Sequence, residues 1–259
     1  MQPFSELPRP LLARIRVLAA DVDDTITAAG KLTSESLASL EALGQAGLVV
    51  ALVTGRPAGW AQALAGYLPA VRVAVAENGL VAFSAAGARM DLGPRHRPDF
   101  AARLAENAAH VRQVYGLEVT PDDAFRLFER AFVRPPSFDA AALAASGKLV
   151  APDFEVMASS IHIHVRPAGW GKAEGLLAAM RPIDPEASAA PDDHVLFVGD
   201  SSNDRSLFAR LRRTSVGVRN VTRYLDELGE DRPAFITQGE AVAGFAEVAR
   251  ALVAARRSL

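Results

Sequence analysis

Short apolar runs alternate along the chain with segments whose leucines recur at helical spacing. Val17–Val22 and Leu48–Val53 have the pattern of strands buried on both faces. Between them Thr33 suits an N-cap, Leu37, Leu40 and Leu43 lie three apart, and Gly47 suits the glycine that ends a helix. Pro57 opens a helix carrying Trp60, Leu64 and Leu68. Val71–Ala76 is a third strand, and Glu77-Asn78-Gly79 is a turn. Strand–helix–strand with short links predicts a parallel, right-handed, doubly wound sheet. The rhythm returns late in the chain. His194–Val198, Thr214–Val218 and Ala234–Thr237 read as strands, Ser202–Leu211 and Thr222–Leu228 as helices, and a last helix runs from Glu240 to Arg256.

The middle breaks this rhythm. Pro98–Tyr115 and Asp139–Ser146 read as helices, and Leu117–Thr120, Phe125–Val133, Phe154–Ala158 and Ile161–Val165 as strands. The expected organisation is an α/β core, Rossmann-like, from residues 1–83 and 168–259, interrupted by an α+β insert over 84–167. Pro182–Asp193, with three prolines, reads as a surface loop.

Half of the 259 residues are hydrophobic, enough for a sizeable core, and the net charge of −2 points to no nucleic-acid partner. No cysteine is present, so disulfides, thiolate catalysis and cysteine–zinc sites are excluded. Pro8, Arg9, Pro10, Arg14 and Arg16 interrupt any apolar leader, and no run reaches the ~18 residues of a membrane span. The expectation is a cytoplasmic protein with no membrane partner. Nothing in the pattern specifies an oligomeric state.

Against this background Asp21-Val22-Asp23-Asp24-Thr25 stands out, because carboxylates at the end of a buried strand must be hydrated, paired or bound to a cation. Alone, the segment reads equally as a polar loop or a metal site. Three other polar clusters follow strands or open a helix: Thr54-Gly55-Arg56, Gly171-Lys172, and Gly199-Asp200-Ser201-Ser202-Asn203-Asp204. In a parallel sheet such strand ends share one edge, so the clusters converge. Asp21 and Asp200 are hard oxygen ligands suited to Mg²⁺. Thr54 and Lys172 suit phosphate oxygens, and Asp23 suits a general acid and base. An aspartate nucleophile with Mg²⁺ and lysine makes a phosphoryl-transfer apparatus.

These four motifs, in this order and with an insert of this size, resemble the haloacid dehalogenase (HAD) superfamily, in particular the capped, Cof-like type IIB phosphatases. Ala76-Glu77-Asn78-Gly79 and Asn220 also match the type. The resemblance implies that Asp21 forms an aspartyl-phosphate and that Asp23 protonates the leaving group, then activates water. It implies that Thr54 and Lys172 bind the transferring phosphoryl group, with Asn203 orienting Lys172 or Asp21, while Gly55, Arg56 and Asn203 are candidate substrate contacts. Mg²⁺ would sit on Asp21, the Asp23 backbone carbonyl and Asp200, with Asp204 close by. The implied substrate is a small phosphorylated metabolite. The stretch Val165–Lys172 is similar to that of trehalose-phosphate and related sugar-phosphate phosphatases, which favours sugar phosphates. A phosphomannomutase-like phosphotransferase and a non-catalytic binding protein on the same fold are the alternatives.

Asp24 replaces the commoner glycine of the first motif and is expected to face solvent. Ile161–Arg166 alternates, placing His162, His164 and Arg166 on one face, which either overlooks the cleft or faces water. Arg56 either holds substrate or pairs with an acid at the domain junction. Arg126, Arg130 and Arg134 are expected to be solvated, and Trp60 and Trp170 to serve packing.

Overall fold

A computed structural model describes residues 1–94 and 98–257. Residues 95–97, within the expected insert, lie outside the described residues. The central sheet has nine strands among the described residues, in the order Gln2–Pro3, Phe235–Ile236, Ser215–Gly217, Val195–Gly199, Val17–Ala20, Val49–Val53, Val71–Ala76, Val81–Ser84, Arg89–Asp91. All neighbours run parallel up to Val71–Ala76, and the last two strands are antiparallel. Val17–Ala20, fully buried, sits at its middle. From it the chain winds outward in one direction through Val49–Val53 and Val71–Ala76, then later in the other from Val195–Gly199. The crevice at such a reversal is where ligands bind in open α/β sheets.

Two hydrophobic clusters cover the two faces of this sheet, and a third, around Leu104, Val111, Phe132 and Val165, belongs to the insert. The insert forms a three-stranded antiparallel sheet of Phe154–Ala158, His162–Pro167 and Arg130–Val133, with helix Phe100–Tyr115 packed on it.

The parallel core follows the expected strands within one or two residues, and Thr33 caps helix Ser34–Gln45 through a reciprocal pair with Ser36. The differences concern short elements. Val81–Ser84 and Arg89–Asp91 were not expected, and the second lies inside the segment assigned to the insert. Both join the core sheet, because the Glu77-Asn78-Gly79 turn folds Val81–Ser84 back on Val71–Ala76 and a Ser84–Ala88 turn folds Arg89–Asp91 back on Val81–Ser84. Leu117–Thr120 contributes only a bridge from Val119 to Phe132, and the strand expected over Phe125–Val133 begins at Arg130. Pro182–Asp193 is not a loop. It holds helix Pro185–Ala189, capped by Asp184, and the start of Pro191–His194, since proline suits a first helical position.

Candidate active site

Asp21 and Asp200 follow the two adjacent strands at the reversal point, and the Asp21 N–H donates to the Val198 carbonyl at 2.9 Å. Both carboxylates are buried, as is Asp204. Oxygens of Asp21, Asp200 and Asp204 lie within 4.8 Å of one another. Lys172, the first residue of helix Lys172–Met180, donates to Asp21 Oδ1 at 2.6 Å and to Asp204 Oδ1 at 2.7 Å. Three carboxylates against one ammonium leave two negative charges in a buried site, the complement of one divalent cation. Burial and the neighbouring aspartates raise Asp21 to about 7 despite Lys172, and raise Asp200 well above the ordinary carboxyl range. The donor set therefore fits Mg²⁺ in charge and in oxygen chemistry.

The supports of these residues are local. Asp204 Oδ2 accepts from the N–H groups of Asp200 (2.9 Å) and Ser201 (3.2 Å). That approach requires Gly199, where a Cβ would stand 2.4 Å from Asp204 Oδ2. Asn220 donates to Asp200 Oδ2 at 3.1 Å and to the Asp24 carbonyl at 3.0 Å, tying the fourth motif to the first. Gly79, at φ +107°, leaves no room for a side chain beside Gly171 and Gly175, so the Glu77-Asn78-Gly79 turn seats the helix that begins with Lys172. Thr54 is buried, and its Oγ1 accepts from Arg56 N–H at 3.0 Å.

Asp23 lies apart from the carboxylate cluster. Arg56 holds it through two parallel bonds, Nε–Oδ2 and Nη2–Oδ1, both 2.8 Å, while Nη1 reaches Asp122 of the cap at 3.2 Å. Of the two readings of Arg56, the structure has pairing at the domain junction, with Trp60 stacked 5.1 Å from the guanidinium. Asp23 and Asp21 line a small cavity with Gly55, Ser201, Asn203 and, from the cap, His162. That cavity, about 10 Å³, holds about one water. Nothing larger than a water fits over Asp21 in this arrangement. A wider cleft, about 530 Å³, opens beside Lys172, Asn203, Trp170 and Arg166, but neither Asp21 nor Asp23 lines it.

Several expectations change. Among the described residues Asn203 makes no hydrogen bond to Lys172 or Asp21. It donates to Asn78 Oδ1 at 3.0 Å and accepts from Ser201 Oγ, and Asp204 is the residue that holds Lys172. Asp24 has φ +55°, which explains the commoner glycine, and aspartate tolerates that conformation better than most residues. Its side chain is half-buried rather than solvated, with its carboxyl raised by burial and by Asp23.

The polar face of His162–Pro167 is turned inward, not to water. His162 lines the catalytic cavity and burial lowers it to about 3, so its imidazole is neutral. His164 is fully buried against Glu129, 2.9 Å away, and does not reach that cavity. Arg126 is buried too, donating to the Gly55 carbonyl at 2.8 Å and to Glu129, so it is not solvated. Arg134 bridges to Glu227 of the core. Trp60 is about half exposed, whereas Trp170 packs on the core and donates to the Gly79 carbonyl at 2.8 Å.

The chain thus has the fold of capped, Cof-like structures of the haloacid dehalogenase type. No family model matches the chain. A curated phosphoglycolate phosphatase from Methanothermobacter thermautotrophicus is 27% identical over 237 residues, covering 91% of this chain and 98% of that one. A HAD/Cof-like hydrolase structure from Plasmodium vivax aligns with TM-score 0.72 and 17% identity, covering 94% of this chain and 98% of its own. The sucrose-phosphatase of Synechocystis, solved with sucrose and phosphate, aligns with TM-score 0.63 and 18% identity, covering 91% and 97%. Among the described residues no helix is long and apolar enough to cross a membrane.

Proposed function

We propose that the protein is a Mg²⁺-dependent phosphatase of small phosphorylated metabolites, working through an aspartyl-phosphate on Asp21. The observation that carries this reading is the buried Lys172 ammonium shared between Asp21 and Asp204, with Asp200 beside them and two negative charges left over. Asp21 and Asp200 would hold the Mg²⁺, with Asp204 and the Asp23 carbonyl at its margin, and the ion would offset charge on the transferring phosphoryl group.

Asp21 attacks phosphorus as the bond to the leaving oxygen breaks, and protonated Asp23 gives its proton to that oxygen. Water then attacks the phosphorus of the aspartyl-phosphate and Asp23 takes its proton, which returns Asp21 as a carboxylate and releases phosphate. Lys172 and Thr54 neutralise and bind phosphoryl oxygens. Arg56 orients Asp23 through both of its oxygens, and one of them must leave that pair for the proton to be exchanged.

The names of the relatives support small phosphomonoesters, with phosphorylated short acids and sugar phosphates as the two classes to try first. The test is phosphate release from p-nitrophenyl phosphate with and without Mg²⁺, followed by phosphoglycolate, sucrose phosphate and mannose-1-phosphate. Activity that requires Mg²⁺ and disappears in Asp21→Asn supports the reading. Activity undiminished in Asp21→Asn, or none in the wild type, refutes it.

A further inference from the structure

The Glu77-Asn78-Gly79 turn does more than join two strands. Glu77 and Asn78 both have left-handed backbones, at φ +50° and +53°. Asparagine adopts this conformation with little strain. Glutamate does not, and such strain, of order 1–3 kcal/mol, persists only where surrounding structure imposes it. What surrounds Glu77 is the cap. Its fully buried carboxylate accepts four backbone N–H groups: Ala58 (3.2 Å) and Leu127 (2.8 Å) at Oε1, Phe128 (2.7 Å) and Glu129 (3.2 Å) at Oε2. Three of the four come from the cap segment that leads into strand Arg130–Val133. Phe128 between them is buried within the core's own hydrophobic cluster.

The same segment reaches the catalytic cavity by two routes. Glu129, fully buried, accepts from Asn78 Nδ2 at 3.1 Å, and Asn78 Oδ1 in turn accepts from Asn203 at 3.0 Å. Arg126, paired with Glu129, donates to the Gly55 carbonyl at 2.8 Å. Gly55 and Asn203 both line the cavity over Asp21 and Asp23. Gly55 also packs close to both asparagines. A Cβ on Gly55 would lie 3.0 Å from Asn78 Oδ1 and 3.3 Å from Asn203 Nδ2. Cap, turn and the second and fourth motifs therefore form one packed hydrogen-bonded unit.

We propose that Glu77 is a positioning residue of the phosphoryl-transfer site. It clamps Leu127–Glu129 of the cap to the core, and through Glu129 and Asn78 the docked segment sets Gly55 and Asn203 against the reacting centre. This rests on the phosphatase reading above. The clamp is a buried carboxylate whose donors are backbone N–H groups, so no neighbouring side chain can replace it. When the cap segment departs, Glu77 keeps only Ala58 N–H, and Asn78 loses the acceptor that orients it toward Asn203. A 1 Å displacement of a positioning group costs on the order of 100-fold in rate.

The experiment combines hydrogen exchange with steady-state kinetics on the full chain with Mg²⁺ and p-nitrophenyl phosphate. In Glu77→Gln and Glu77→Ala, amides of Leu127, Phe128 and Glu129 are expected to exchange at least about tenfold faster, with strand Val71–Ala76 unchanged. Over the same variants kcat falls on the order of 100-fold while KM moves much less. Glu129→Gln keeps the backbone clamp and weakens the side-chain links to Asn78, Arg126 and His164, so kcat falls with exchange at 127–129 unchanged.

Unchanged exchange at these three amides in a folded Glu77 variant overturns the clamp. An unchanged kcat in Glu129→Gln overturns the relay. If Glu77→Ala does not fold, Glu77→Gln and Glu129→Gln decide the matter on the same readouts. Absence of phosphatase activity in the wild type would refute the reading beneath the proposal, while the exchange data would still report on the clamp.

Discussion

Replacing Lys172 with methionine removes the one cation from a buried ring of three carboxylates at nearly constant volume. Its Nζ stands 2.6 Å from Asp21 Oδ1 and 2.7 Å from Asp204 Oδ1. At an effective dielectric near 20, each contact is worth about 6 kcal/mol of gross attraction. Desolvation of the ammonium cancels much of this, and breaking a buried pair from one side costs about 3–5 kcal/mol. For a chain of this size that corresponds to a fall in Tm of about 10 °C in metal-free protein.

Two further signs follow from the charge count. Mg²⁺ should stabilise the variant, by about 2.7 kcal/mol at 100 times its Kd, because it supplies the missing positive charge. Lowering the pH should also narrow the deficit. Burial and neighbouring aspartates already raise Asp21 to about 7, and without Lys172 the carboxyls bind protons more tightly still. The folded variant thus gains stability relative to wild type as the pH falls toward 7, and below 7, where wild-type Asp21 also binds its proton, the difference stops growing. Thermal melts of both proteins, with EDTA and with Mg²⁺ at pH 6 and pH 8, make the comparison. A metal-free Lys172→Met protein melting within about 2 °C of wild type at pH 8 would refute the charge account of this site. Its kcat should fall by a factor of order 100–1,000, from lost neutralisation of the phosphoryl group.

Other residues give separate tests. Asn220→Ala frees Asp200 and should weaken Mg²⁺ affinity about 10–100-fold, read by titrating activity against the metal. Arg56→Ala releases both oxygens of Asp23 and should lower kcat on the order of 100-fold without changing Mg²⁺ affinity, measured in the same titration. Gly199→Ala drives a Cβ to 2.4 Å from Asp204 Oδ2 and should cost about 1–3 kcal/mol in denaturant melts. His162 is lowered to about 3 by burial, so the unfolded chain takes up its proton first as the pH falls. Its contribution is therefore complete above pH 6.5 and is lost on acidification toward 3, up to roughly 5 kcal/mol, and His162→Gln should flatten that slope in melts between pH 7 and pH 5.

How much of this could be read from the residues alone depends on range. The convergence of Asp21, Lys172 and Asp200 was legible because each ends a strongly apolar strand or opens a helix, and parallel winding puts such ends on one edge. Val81–Ser84 and Arg89–Asp91 escaped because they are short and their pairing depends on a tight turn back onto the core. For His162, His164 and Arg166, alternation defines a polar face but not what covers it, and here the core covers it. Arg126 looked like a solvated strand arginine because its partners, Gly55 and Glu129, meet it only when the cap docks. Glu77 was least legible. A turn glutamate carries no local sign that its acceptors will be filled by backbone donors some 50 residues onward.

The most direct test of the central claim is to trap the covalent intermediate. Protein carrying Asp23→Asn, which slows release of the phosphoryl group, is mixed with a ³²P-labelled phosphomonoester and Mg²⁺, quenched in acid and digested. The account predicts a hydroxylamine-labile label on the peptide containing Asp21, absent when Asp21→Asn is combined with Asp23→Asn. Label on a different residue, or phosphate release with no labelled protein at any time in a single turnover, would contradict it.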